Sequence, residues 1–316
     1  MSLTADTKTE KGLPGSTPDS WRSDYPFESK FLELEPNICM HYVDRGPTAN
    51  PDNLGNDQTI LCIHGNPTWS FYYRSIIANF SASHRVVAVD HIGCGLSDKP
   101  QNYQYTLAQH TANLVRLIDE LDLKNITLVV HDWGGAIGLG ASIERISRFR
   151  NLLVLNTAAF PPPYVPLRIA ACRIPCLGSW AIRYANAFAR AAISMAIDRL
   201  PRLSDNARRG LLAPYDTPRH RVAIDGFVRD IPMSKSHPTW KVLEQLEKNL
   251  PQLRNLPIRF VWGMRDWCFR PECMERMNAA WPNATRRELN DVGHYVMEEA
   301  PDEVLEELEY LLSGSK

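Results

Sequence analysis

Val129-Val130-His131-Asp132-Trp133-Gly134-Gly135-Ala136 reads as a buried strand that runs into a Gly-Gly turn and opens a helix. A turn this tight lifts one side chain, here Asp132, above the strand end and against the helix N-terminus, where negative charge is favoured. The serine version of such an elbow would read G-x-S-x-G, and that pattern occurs nowhere in the chain. An Asp after a strand can also serve only as a helix N-cap. Its surroundings decide between the two.

The strand is one of a series. Phe31–Glu35 and Ile38–Val43 alternate in polarity about Pro36-Asn37, as an antiparallel pair does. Ile60–Ile63, Arg85–Val89, Ile126–Val130, Leu152–Asn156 and Ile258–Trp262 are almost wholly apolar, which indicates strands covered on both faces of a parallel sheet. Arg286–Leu289 is the eighth. Helical spacing marks Leu107–Leu123 and a last helix after Pro301, whose Val304, Leu305, Leu308 and Leu311 point inward. Alternation of this kind predicts an α/β fold with a mostly parallel eight-stranded sheet flanked by helices. It breaks once: after Pro161-Pro162-Pro163 there is no strand pattern until beyond Pro238. The expected division is a flexible tail over 1–24, a core over 25–160 and 239–316, and a helical cap inserted over 161–238.

Composition narrows the partners. The 316 residues are 44% hydrophobic, enough for a sizeable core, and 35 Lys+Arg against 36 Asp+Glu leave a net charge of −1. That balance argues against bulk electrostatic binding of nucleic acid or an acidic membrane. Its distribution is uneven: residues 161–231 hold eleven Arg and five Asp with no Lys or Glu, whereas the last twenty residues hold seven acids and one Lys. Opposite patches give a reason to look for a homo-oligomer. The most apolar stretch, Ile169–Met195, is broken by Arg173, Arg183 and Arg190, so no membrane span is expected. Seven scattered cysteines and a polar N-terminus without an apolar core suggest reduced thiols and a cytoplasmic protein. Cys172 and Cys176 lack a matching His/Cys pair for zinc, and no metal or organic cofactor is expected.

Three further segments give Asp132 a chemistry. His64-Gly65-Asn66-Pro67-Thr68-Trp69-Ser70 follows the third strand, where a second oxyanion-hole N–H belongs. The Asn66 carboxamide and the Trp133 indole are neutral N–H donors that suit a large, weakly hydrated leaving anion beside a carboxylate nucleophile. Asp291-Val292-Gly293-His294-Tyr295 follows the eighth strand and supplies His294 as base, while Gly263-Met264-Arg265-Asp266 supplies its orienting acid. His131 points away from Asp132 along the strand and is read as a support.

Together HGNPTWSFYYR (His64–Arg74), DHIGCGLSDKP (Asp90–Pro100), HDWGG (His131–Gly135), GMRDWCF (Gly263–Phe269) and DVGHY (Asp291–Tyr295) resemble the haloalkane dehalogenases of the α/β-hydrolase superfamily. The resemblance runs from about Tyr25 to Leu312. It implies Asp132 as nucleophile, His294 as base, Asp266 as its acid, Asn66 with Trp133 as a halide-binding pair, and 161–238 as the cap that shapes the pocket. The sixth strand leads into Asn156-Thr157-Ala158-Ala159-Phe160 without an acid, so the Asn–Trp pair with a late Asp is similar to the family's third branch. That branch also looks like the β-lactone decarboxylases of long-chain olefin biosynthesis. The implied reaction is hydrolysis of a carbon–halogen bond in a small apolar substrate, through an alkyl ester of Asp132 and with release of a halide ion. β-Lactone decarboxylation by the same triad is the alternative. Epoxide hydrolysis stands third, with Tyr164, Tyr184 and Tyr215 as candidate proton donors.

Overall fold

The computed structural model describes residues 20–47, 58–200 and 203–314. Its strands are β1 (Lys30–Glu35), β2 (Ile38–Arg45), β3 (Thr59–Ile63), β4 (Arg85–Val89), β5 (Ile126–Asp132), β6 (Phe149–Thr157), β7 (Ile258–Gly263) and β8 (Thr285–Leu289). They form one eight-stranded sheet in the order β1-β2-β4-β3-β5-β6-β7-β8. Only β1–β2 and β2–β4 are antiparallel; the other five pairings are parallel. The wholly apolar runs behave as expected of strands covered on both faces. Leu61, Ile63, Leu128, Val130, Leu152 and Val154 enter one apolar cluster, and their neighbours Ile60, Cys62, Val129, Leu153 and Leu155 enter a second one.

Helices α1 (Arg74–Phe80), α2 (Leu107–Glu120) and α3 (Trp133–Glu144) alternate with strands β3 to β6. The interval after β6 holds α4 (Leu167–Ala171), α5 (Leu177–Arg183), α6 (Ala187–Met195), α7 (Asp205–Leu212) and α8 (Val222–Asp230). Then come α9 (Pro238–Asn249), α10 (Pro271–Asn278), α11 (Val296–Glu299) and α12 (Pro301–Ser313). The first cluster takes Leu114, Ile137, Leu243 and Met274 from α2, α3, α9 and α10; the second takes Ile76, Val296 and Leu308 from α1, α11 and α12. The sheet is therefore sandwiched between two helical layers.

Two local expectations differ from the structure. Ser20–Asp24, expected as the end of a flexible tail, form a 3₁₀ turn. The reason is hydrophobic: Trp21 is buried edge-on against Trp69 and Phe71, at 5.6 and 6.1 Å between ring centroids. Residues 1–19 of that tail, and 48–57 of the turn-rich stretch before β3, lie outside the described residues. Helix α2 stops at Glu120 rather than Leu123, because the chain turns with Asp122 and Asn125 at φ +43° and +48°. All seven cysteines are unbridged, and among the described residues no helix is long and apolar enough to cross a membrane.

Candidate active site

Strand β5 ends on Asp132 with φ +53° and ψ −130°, a conformation that costs a non-glycine residue on the order of 1–3 kcal/mol. The elbow closes only because glycine stands two positions on, after Trp133: a Cβ on Gly134 would sit 2.1 Å from the Ile63 carbonyl oxygen. Thr157 at the end of β6 secures the turn by donating its hydroxyl to the Asp132 carbonyl. The carboxylate makes no N-cap hydrogen bond to α3. Instead Oδ1 accepts the Asn66 N–H at 2.6 Å, and the Trp133 N–H bonds the same carboxylate. Two backbone donors, from the loop after β3 and the start of α3, thus converge on one carboxylate, the arrangement of an oxyanion hole. Gly65 permits the approach, since a Cβ there would fall 2.0 Å from Asp132 Oδ1. Gly65→Ala is expected to misplace the carboxylate and lower kcat/KM by at least about 100-fold, with a stability loss of about 1–3 kcal/mol; steady-state kinetics and a melting curve measure both.

The loop between β8 and α11 brings His294 over the elbow, with Nε2 3.7 Å from Asp132 Oδ2. Its Nδ1 lies 2.7 Å from Asp266 Oδ2, on the turn after β7. Asp266 is held from both sides: Oδ1 accepts the N–H groups of Cys268 (2.6 Å) and Phe269 (3.1 Å), and Oδ2 accepts the Asn156 amide at 3.0 Å. Burial opposes a charge on His294, yet Asp266, Asp132 and Glu299 together hold its pKa above the ordinary histidine value. Burial also pushes Asp132 upward, against the His294 ring and the Trp133 and Asn66 N–H groups. A base works only when neutral, so any step in which His294 takes a proton is lost as pH falls through that raised value. The acid limb for ester hydrolysis is expected above about 6.5. Asp266→Asn, which removes the raising carboxylate, is expected to move the limb down and slow the step; a pH–rate profile of both proteins checks the sign.

Behind His294 stands His131, its ring centroid 4.5 Å away and its Nε2–H donating to the His294 carbonyl at 2.8 Å. Burial and the facing His294 keep His131 far below its usual pKa, so it is a neutral prop. Glu299 also fixes the loop. Its carboxylate accepts the Gly293 N–H at 3.0 Å and those of Asp198 and Arg199 at 2.7 Å each. Sequence reading gave no role to Asn156 or Glu299. The missing acid after β6 was the only trace of Asn156, and Glu299 left none.

Asp132, His294, Asn66 and Trp133 occupy the polar end of a cavity of about 330 Å³. Mainly apolar side chains line the rest, among them Phe160, Ile169, Ile182, Phe188 and Leu243, with Arg168 and Tyr164 between them, and α4, α5 and α6 form one wall. The Trp133 indole N–H meets no acceptor among the described residues. The Asn66 amide is less free than expected: Nδ2 donates to Ile224 O on α8 at 3.4 Å, leaving its second hydrogen available, and Oδ1 is buried with no donor among the described residues. The tyrosines do not form a donor pair. Tyr164 lines the cavity but donates to Cys268 O, Tyr215 donates to Thr68 O away from it, and Tyr184 is exposed.

The family model described as the alpha/beta hydrolase fold matches residues 58–301. The chain belongs to the α/β-hydrolase fold family. Within it, a cis-3-alkyl-4-alkyloxetan-2-one decarboxylase of Shewanella oneidensis is 35% identical over 297 residues, 92% of this chain and 90% of that protein. Haloalkane dehalogenase 2 of Mycobacterium tuberculosis is 31% identical over 288 residues, 89% of this chain and 93% of that protein. The tetrameric haloalkane dehalogenase DpaA of Paraglaciecola agarilytica superposes with a TM-score of 0.72 at 28% identity, covering 92% of this chain and 96% of that one. This α/β-hydrolase thus shares its sequence with both groups, and the decarboxylase stands nearer than the dehalogenase.

Proposed function

We propose that this enzyme decarboxylates disubstituted β-lactones, with Asp132 as nucleophile. The carrying observation is an ionisable carboxylate at the polar end of a mainly apolar cavity, with the N–H donors of Asn66 and Trp133 beside it. The greater similarity to the decarboxylase supports the choice of leaving group. So does size, because about 330 Å³ is room for a drug-sized apolar ligand and far exceeds what a two-carbon haloalkane fills.

An Asp132 oxygen attacks the ring carbon that bears oxygen, and that carbon–oxygen bond breaks. Its electrons leave as a carboxylate, which the Asn66 and Trp133 donors receive. The substrate is now an ester of Asp132 with a carboxylate on the adjacent carbon. The bond to that carboxylate then breaks, its electrons form the alkene, carbon dioxide departs, and Asp132 is released as a carboxylate. Neither step consumes water or needs a proton donor, which suits a cavity without a tyrosine pair. His294, oriented by Asp266, keeps the carboxylate aimed and activates water to clear any ester that stalls, with the Asn66 and Trp133 backbone N–H groups holding the resulting oxyanion. Residues 161–238 serve as the cap over a core formed by 25–160 and 239–316.

Carbon–halogen hydrolysis is the second reading, favoured by the acceptor-free indole of Trp133. There a halide replaces the carboxylate as leaving group, and His294-activated water must complete every turnover. Offering the purified enzyme a cis-dialkyl β-lactone, a 1-bromoalkane and an aryl epoxide decides between them. Alkene formation well above halide or diol release is the expected result; halide release without alkene would overturn the first reading in favour of the second.

A further inference from the structure

Among the described residues, the outer face of the inserted helices has no partner. Leu167 (88% exposed), Ile174 (48%), Leu177 (58%), Trp180 (57%) and Tyr184 (65%) lie on α4, the turn after it, α5 and its C-cap. Leu177, Trp180 and Tyr184 recur at i, i+3 and i+7, one stripe of α5. A run of large apolar side chains this open marks a binding surface. The inner sides of the same two helices carry Ile169, Cys172, Ala181 and Ile182, which line the catalytic cavity.

Charge identifies the partner. Residues 161–231 hold eleven Arg against five Asp, and among the described residues only Arg199 and Arg229 of those arginines pair with a carboxylate. Arg173 and Arg221 are spent on backbone carbonyls, and Arg168 lies over the Trp267 ring at 5.3 Å. The positive charge is therefore uncompensated. Most of the acidic C-terminal segment is unavailable as its counterpart on a second copy, because Glu298, Glu303, Glu306 and Glu307 are already paired with Arg74, Arg199, Arg287 and Arg259 of their own chain. The overall balance of charge conceals this asymmetry.

We propose that the α4–α5 face docks on a lipid surface rich in anionic headgroups, so that an apolar substrate passes from the bilayer into the cavity behind these helices. Trp180 and Tyr184 have the amphipathic rings that settle at a lipid–water interface, and Arg168, Arg173 and Arg183, on the same two helices and the turn between them, pair with no carboxylate among the described residues. Helices of five and seven residues lie on such a surface and do not cross it. The inference is independent of which bond the enzyme breaks.

Flotation of the full chain with vesicles tests it, comparing phosphatidylcholine alone with phosphatidylcholine containing phosphatidylglycerol. Binding is expected with the anionic vesicles, weaker by about tenfold or more with the neutral ones and in high salt. The double change Leu177→Glu and Trp180→Glu, at exposed positions that do not line the cavity, is expected to abolish flotation while turnover of a detergent-dispersed substrate and the melting temperature stay as in the parent. No flotation, or flotation that survives both changes, overturns the proposal. So does a multimer in solution that the same changes break into monomers without any vesicle binding, which would assign the face to a second copy.

Discussion

Asp132→Asn is expected to abolish turnover of β-lactone and bromoalkane alike, by at least about 10⁴-fold, because an amide is a poor nucleophile at saturated carbon. The two side chains are nearly isosteric, and the amide oxygen can still accept the Asn66 N–H that Asp132 takes at 2.6 Å. Burial disfavours the charged form of Asp132, so removing the charge relieves a cost the fold carries for its chemistry. The melting temperature of Asp132→Asn should accordingly equal or exceed that of the parent. Activity within tenfold of the parent would remove Asp132 from the reaction. Lost activity together with an unfolded protein would contradict the stability half of the argument.

The second large effect separates the two half-reactions. His294→Phe keeps an aromatic ring against His131 and Phe269, whose centroids lie 4.5 and 5.5 Å away. It removes the only imidazole facing Asp132 Oδ2. Hydrolysis of an alkyl ester needs that base, so bromoalkane turnover should fall by about 10²–10⁴-fold, with the protein accumulating as its covalent ester. Loss of carbon dioxide needs no water, so lactone turnover should stay within about tenfold of the parent under the same comparison. Intact-protein mass and product analysis read both. Equal loss on both substrates would mean that His294 acts in a step common to them, and the two-step decarboxylation would have to be redrawn.

The fold was legible because its signals are local. Five apolar runs and one alternating pair marked seven strands and Arg286–Leu289 was read as the eighth, and burial on both faces followed from the absence of alternation at Ile60–Ile63 or Leu152–Leu155. Strand ends were less legible: β2 runs on to Arg45 and β6 starts at Phe149, since backbone pairing extends past the apolar pattern. The Ser20–Asp24 turn escaped because a lone Trp in a polar segment carries no period, and only its distant partners Trp69 and Phe71 bury it. In the site, the five residues read from motifs come together at one end of the cavity or directly behind it. What they rest on was invisible. Asn156 meets Asp266 across 110 positions, and Glu299 bonds the backbone of Asp198 and Arg199 from about 100 positions away. Such contacts depend on tertiary placement and leave no spacing in the chain.

The most direct test of the proposed chemistry is turnover in oxygen-18 water, followed by the mass of the peptide that carries Asp132. If Asp132 attacks the ring carbon and leaves as carbon dioxide departs, lactone turnover yields alkene and leaves Asp132 unlabelled. Bromoalkane turnover in the same water, in which water attacks the ester carbonyl, should place label in the Asp132 carboxylate. Label in Asp132 after lactone turnover, or lactone consumed without alkene, would contradict decarboxylation from an Asp132 ester.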